Sequence, residues 1–124
     1  MEFSIGERAG YLRVDVYRRE TAEETKRYLN ALAAESERTG CRKVMIWIHA
    51  SRPIFRVAQY DLADFFRQAR AMPGTRVALL GDSHEVRASQ EYVQVLARQE
   101  GVAARAFIDE SAAAAWLTGE EAER

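Results

Sequence analysis

The sequence predicts one α/β domain over residues 1–119: a mixed sheet of about five strands, opened by a hairpin, with about four helices and a frayed tail at 120–124. Three observations carry this expectation. The first twenty residues alternate polar and apolar, as half-covered strands do. Two later runs, Val44–Ile48 and Val77–Leu80, are apolar without alternation, as strands buried on both faces are. Between these runs lie stretches of helical periodicity with capping residues before them and glycine behind.

Taken in order, Phe3 and Ile5 share one face of a first strand, and Gly6 and Gly10 bracket a turn. Leu12, Val14 and Val16 then share one face of a second strand, with Tyr11, Arg13, Asp15 and Tyr17 on the polar side. Thr21-Ala22-Glu23-Glu24 is a capping box, in which hydroxyl and carboxylate each accept a backbone N–H. Thr25, Tyr28, Leu29, Leu32 and Ser36 follow at helical spacing, and Gly40 supplies a left-handed exit. A second helix carries Ile54, Ala58, Leu62, Phe65, Phe66 and Ala69, and ends at Met72-Pro73-Gly74. Asp82 and Glu85 have the spacing of a capping pair for a third helix, whose inner stripe is Val86, Ser89, Tyr92, Val93, Leu96 and Ala97. A weak strand, Ala104–Ile108, leads to a short helix capped by Asp109 or Ser111, with Ala113, Trp116 and Leu117 inward. Strands joined through helices run parallel with right-handed crossovers.

Composition excludes several classes. Eighteen basic residues stand against nineteen acidic ones, so the chain lacks the positive excess of a nucleic-acid binder or a polybasic membrane anchor. The single cysteine, Cys41, permits no internal disulfide and no multi-cysteine zinc site. The apolar runs fall far short of the roughly 20 residues that cross a bilayer, so no membrane insertion is expected. Met1-Glu2-Phe3-Ser4 has neither the basic nor the apolar region of a signal peptide, and a cytoplasmic location is the default expectation.

The order of elements, together with Arg76-Val77-Ala78-Leu79-Leu80-Gly81-Asp82 before a helix and Phe107-Ile108-Asp109-Glu110-Ser111-Ala112-Ala113-Ala114-Ala115-Trp116-Leu117 after a weak strand, resembles the SpoIIAA-like branch of the STAS domains. These are the sulfate-transporter and anti-sigma-factor-antagonist domains, and the branch includes members resembling the lipid-binding SEC14 fold. The similarity spans most of the chain. It implies a β-α superhelical sheet with helices mainly on one side, and a role in binding or regulation in place of turnover. Regulatory members carry a phosphorylatable serine in a loop of aspartate-serine-serine-glycine type after a central strand. Here that loop reads His49-Ala50-Ser51-Arg52-Pro53, so the resemblance puts the regulatory phosphosite at Ser51, without the flanking aspartate and glycine.

In parallel α/β sheets ligands gather beyond the carboxyl ends of the strands, beside helix N-termini. Two loops end there, contributing His49, Ser51 and Arg52 from one and Asp82, Ser83 and His84 from the other; these are the candidate binding residues. A small anion near the third helix is physically sensible. Gly81-Asp82-Ser83 resembles the nucleophile block of the GDS-type esterases, but no histidine follows His84 to act as a late base, and helix capping explains the same residues. His49, Asp82 and His84 supply two imidazoles and a carboxylate, yet their spacing matches no metal motif. Neither a phosphate loop nor a dinucleotide fingerprint is present, so no cofactor, no metal and no catalytic residue is expected. The expected function is a non-enzymatic binding or regulatory domain acting through a protein partner or a homodimer. A small-ligand or lipid-binding domain, using the apolar Ile54, Phe55 and Val57 over a pocket at the carboxyl edge, is the second reading, and a serine hydrolase using Ser83 the third.

Overall fold

The computed structural model of the chain describes residues 1–51 and 59–119. Its elements are β1 (Glu2–Arg8), β2 (Tyr11–Tyr17), α1 (Ala22–Thr39), β3 (Lys43–His49), α2 (Gln59–Arg70), β4 (Arg76–Gly81), α3 (His84–Gln99), β5 (Ala103–Ala106) and α4 (Glu110–Leu117). The sheet order is β1-β2-β3-β4-β5. β1 runs antiparallel to β2, and every later neighbour is parallel. Residues 52–58, where Arg52 and the apolar Ile54–Val57 cluster fall, lie outside the described residues, as does the tail at 120–124.

Local chemistry sets the boundaries. Gly10, at φ +93°, makes the hairpin turn that an L side chain resists. The register Phe3↔Val16 and Ile5↔Val14 then puts the alternating apolar residues on one face. The capping box at Thr21 and Glu24 is present with both bonds, and Gly40 ends α1 at φ +75°. The third helix differs from the expected pairing. Ser83, not Asp82, is its N-cap, accepting the Val86 N–H, while Asp82 is drawn to another loop. α4 is capped by Asp109, which accepts the Ala112 N–H.

Each parallel strand divides its side chains between two cores. Val14, Val16, Val44, Ile46, Ile48, Val77 and Leu79 meet α1, α2 and α3 on one face. Tyr11, Met45, Ala78 and Leu80 meet Ala113, Trp116 and Leu117 of α4 on the other. Three successive crossovers therefore use one face, and only the last helix crosses to the opposite side. Gln90, which the apolar stripe of α3 omits, is buried; its amide donates to the Leu80 carbonyl at 2.9 Å and the Ile46 carbonyl at 3.4 Å.

Trp116 is the largest fully buried side chain and the centre of the smaller core. Trp116→Ala is expected to cost about 3–5 kcal/mol, read as a lowered urea midpoint with an unchanged slope.

Candidate binding surface at the carboxyl edge of the sheet

The carboxyl ends of β2, β3 and β4 are tied into one knot of hydrogen bonds. The Arg18 N–H donates to the His49 carbonyl at 3.2 Å, and the Asp82 N–H to the Ile48 carbonyl at 3.3 Å. Asp82 Oδ2 accepts the Ala50 N–H at 2.9 Å, joining the two loops that sequence reasoning singled out. The Ser51 hydroxyl donates to the His49 carbonyl at 2.8 Å and accepts the Arg19 N–H at 2.9 Å. Arg18 and Ala50 sit in the left-handed region, at φ +57° and +46°. For non-glycine residues that conformation costs of order 1–3 kcal/mol, and it persists where surrounding bonds over-determine it.

These bonds decide what the candidate residues can do chemically. Ser51 Oγ is engaged by backbone at both ends, and Ser83 Oγ accepts the Val86 N–H at 3.2 Å. Among the described residues neither hydroxyl meets an imidazole or carboxylate that would activate it. His84 is exposed, whereas His49 Nε2 lies 2.8 Å from Asp15 Oδ1. Among the described residues no group of three His, Cys, Asp or Glu side chains converges as metal ligands do. The knot is thus a device for holding loops, with His49 turned away toward the sheet face.

That face holds the most ordered group of polar and aromatic side chains. Asp15 and Trp47 are register partners, as are Tyr17 and His49, so all four rise from the α4 side of two neighbouring strands. The His49 ring stacks on Tyr17 with centroids 4.6 Å apart and on Trp47 at 5.2 Å. The Arg13 guanidinium lies 4.7 Å from the Trp47 ring centroid, grips both Asp15 oxygens at 2.9 and 3.1 Å, and reaches Glu110 of α4 at 2.7 Å. Burial works against the Asp15 charge, yet hydrogen bonds from Arg13 and His49 and their charges hold its carboxyl below the usual carboxylate range. The buried Trp47 Nε1 has no hydrogen-bond partner among the described residues. Tyr17, 38% exposed, forms the open end of the strip. Tyr11, expected on the same polar face, is instead covered by α4; its hydroxyl reaches Glu110 at 3.3 Å.

Sequence alternation placed Arg13, Asp15 and Tyr17 on one face but missed Trp47 and His49 as their partners. A parallel register leaves no trace in local sequence, and β3 reads as an unbroken apolar run.

A second feature lies at the ends of β4 and β5. The chain leaves β4 for α3 on one face and β5 for α4 on the other, and such opposed exits open a crevice. It measures about 420 Å³, and His84, Arg87, Glu91, Phe107 and Ile108 contribute to its walls.

No family model matches the chain, and no curated protein is similar enough to match it. Among solved structures, an uncharacterised protein of the DUF3478 family with a SpoIIAA-like fold, from Shewanella loihica PV-4, is 20% identical. The alignment covers 93% of each chain with a TM-score of 0.58. The fold is therefore SpoIIAA-like. No helix among the described residues is long and apolar enough to cross a membrane.

Because the folded state holds Asp15 below its ordinary value of 3.8, its contribution is complete above that pH and is lost as pH falls through the lower folded value. Asp15→Asn is expected to cost about 1–3 kcal/mol at neutral pH, since Arg13 and His49 lose their carboxylate. Urea unfolding repeated at about pH 3 should show the gap between wild type and variant narrowing.

Proposed function

We propose that this chain is a non-catalytic binding and regulatory domain that acts through protein contacts made by the Tyr17, Trp47 and His49 strip. The observation that supports this reading is the strip's pre-organisation. Its rings are stacked and its arginine is clamped between two carboxylates before any partner arrives. Interfaces favour tyrosine, tryptophan and arginine because rigid aromatic area is ordered at low entropic cost. The partner is either another protein or a second copy of the chain. Ser51 is the point where such contacts would be regulated. A phosphoryl group on its oxygen removes the hydroxyl donor to the His49 carbonyl and adds charge beside a loop already in the left-handed region.

A second reading rests on the crevice between β4 and β5. Phe107 and the 75% exposed Ile108 offer an apolar wall, and Arg87 offers two terminal nitrogens without a hydrogen bond or ion pair among the described residues. A small amphipathic acid of the fatty-acid class suits that combination, with His84 also in its wall.

A photo-crosslinking residue in place of Tyr17, compared with one in place of exposed Glu37, tests the first reading alongside light scattering. The expected outcome is a defined adduct or a dimer from position 17 alone, weakened about 30-fold by His49→Ala as an interface anchor worth about 2 kcal/mol. A monomer giving equal adducts from both positions removes the reading. Titration with decanoate tests the second: saturable amide shifts confined to 81–91 and 106–108 support it, and their absence ends it.

A further inference from the structure

The opposite end of the sheet carries a feature that neither reading uses. Where β3, β4 and β5 begin, between the ends of α2 and α3, lies another open crevice of about 420 Å³. Its charged lining residues are Lys43, Arg70 and Arg76, and no acidic side chain lines it. In a chain whose formal net charge is −1, three cations around one recess are a local positive excess.

The excess is built into the strand register. Lys43 and Arg76 are directly opposed on β3 and β4, a like-charge pair that each side chain makes worse for the other. What they touch are carbonyls and, for Arg76, the Trp116 ring at 5.4 Å. Lys43 Nζ donates to the Gly74 carbonyl at 2.5 Å, and Arg76 donates to the Trp116 carbonyl at 2.6 Å. Carbonyls supply partial charge at helix and turn ends but no formal neutralisation. Arg70 makes no hydrogen bond or ion pair among the described residues, and its aliphatic stem lies beside Gly101. Glu100, next to the crevice wall, is taken by Arg67 at 3.4 Å. Burial first, and then the neighbouring Arg76 charge, hold the Lys43 ammonium below its usual range, as expected of a cation lacking a counter-charge.

We propose that Lys43, Arg70 and Arg76 form a binding site for a small, multiply charged phosphoryl compound at the amino edge of the sheet. Arginine meets phosphate oxygens through a two-pronged fork and lysine meets them as a point charge, so this trio offers both kinds of contact. An anion in the recess turns the opposed Lys43–Arg76 pair from a repulsion into a shared clamp. Thr75 also contributes to the wall.

Thermal unfolding with inorganic pyrophosphate, at ionic strength matched with chloride, tests the site. The expected result is a saturable rise in melting temperature with pyrophosphate that chloride does not reproduce. Arg70→Gln should shift the anion-free melting temperature little, because the glutamine keeps most of the stem and the guanidinium makes no hydrogen bond or ion pair among the described residues. It should weaken pyrophosphate about tenfold or more, the loss of a charge-assisted contact. Lys43→Gln should abolish most of the response. Arg87→Gln, at the other edge, should keep it. Flotation with phosphatidylcholine vesicles carrying phosphatidic acid tells the source of the phosphoryl group. Vesicle binding lost in Arg70→Gln assigns it to a lipid headgroup, and a response to pyrophosphate alone assigns it to a free anion. The proposal is overturned if neither pyrophosphate nor vesicles act beyond matched chloride. It is equally overturned if Arg70→Gln responds like the wild type, or if Arg87→Gln loses the response to the same degree.

Discussion

The length of α4 is the constraint on which the rest of the structure depends. Eight residues of helix span about 12 Å. The seven-residue strands beneath run roughly 23 Å. A helix of that length can cover Tyr11, Met45, Ala78 and Leu80 but not the ends of β2 and β3. Among the described residues, one face of the sheet is covered by three helices, α1, α2 and α3, and the other by α4 alone. The aromatic strip proposed as a contact surface lies in that shortfall.

The uncovered part is not left to solvent in disorder. Glu110 at the start of α4 reaches Arg13, Arg13 grips Asp15, and Asp15 holds His49, so one chain of charge-assisted contacts runs from the helix to the strand ends. Such contacts strengthen one another where water is partly excluded, and they orient the rings between which His49 stacks. The two serines are occupied in a different way. Their oxygens serve backbone N–H and carbonyl groups, a structural use that leaves no activated nucleophile among the described residues.

Much of the fold was legible because local rules settle it. The Thr21–Glu24 box, the Gly40 exit and the alternation of Leu12, Val14 and Val16 each act within a few residues, and each appears as read. The site was legible in outline only. Both loops at the carboxyl edge were found, and Asp82 does join them, but through the Ala50 N–H and not as a helix cap. Tyr11 read as a surface residue because nothing near it in sequence announces the helix that covers it. Gln90 is missing from the inner stripe read for α3 because its two carbonyl partners lie on β3 and β4.

By itself the sequence determined the α/β class, the order of strands and helices along the chain and the apolar sets that face the larger core, since periodicity and capping are short-range physics. Tertiary structure alone decided which residues meet across strands. The Asp15–His49 contact joins positions 34 apart, the Arg13–Glu110 pair joins positions 97 apart, and Lys43 opposes Arg76 only through the parallel register. Parallel strands are aligned by how their helices pack, and that packing is a sum over the whole core. No single segment carries it, which is why both the aromatic strip and the cationic crevice came into view only in the folded chain.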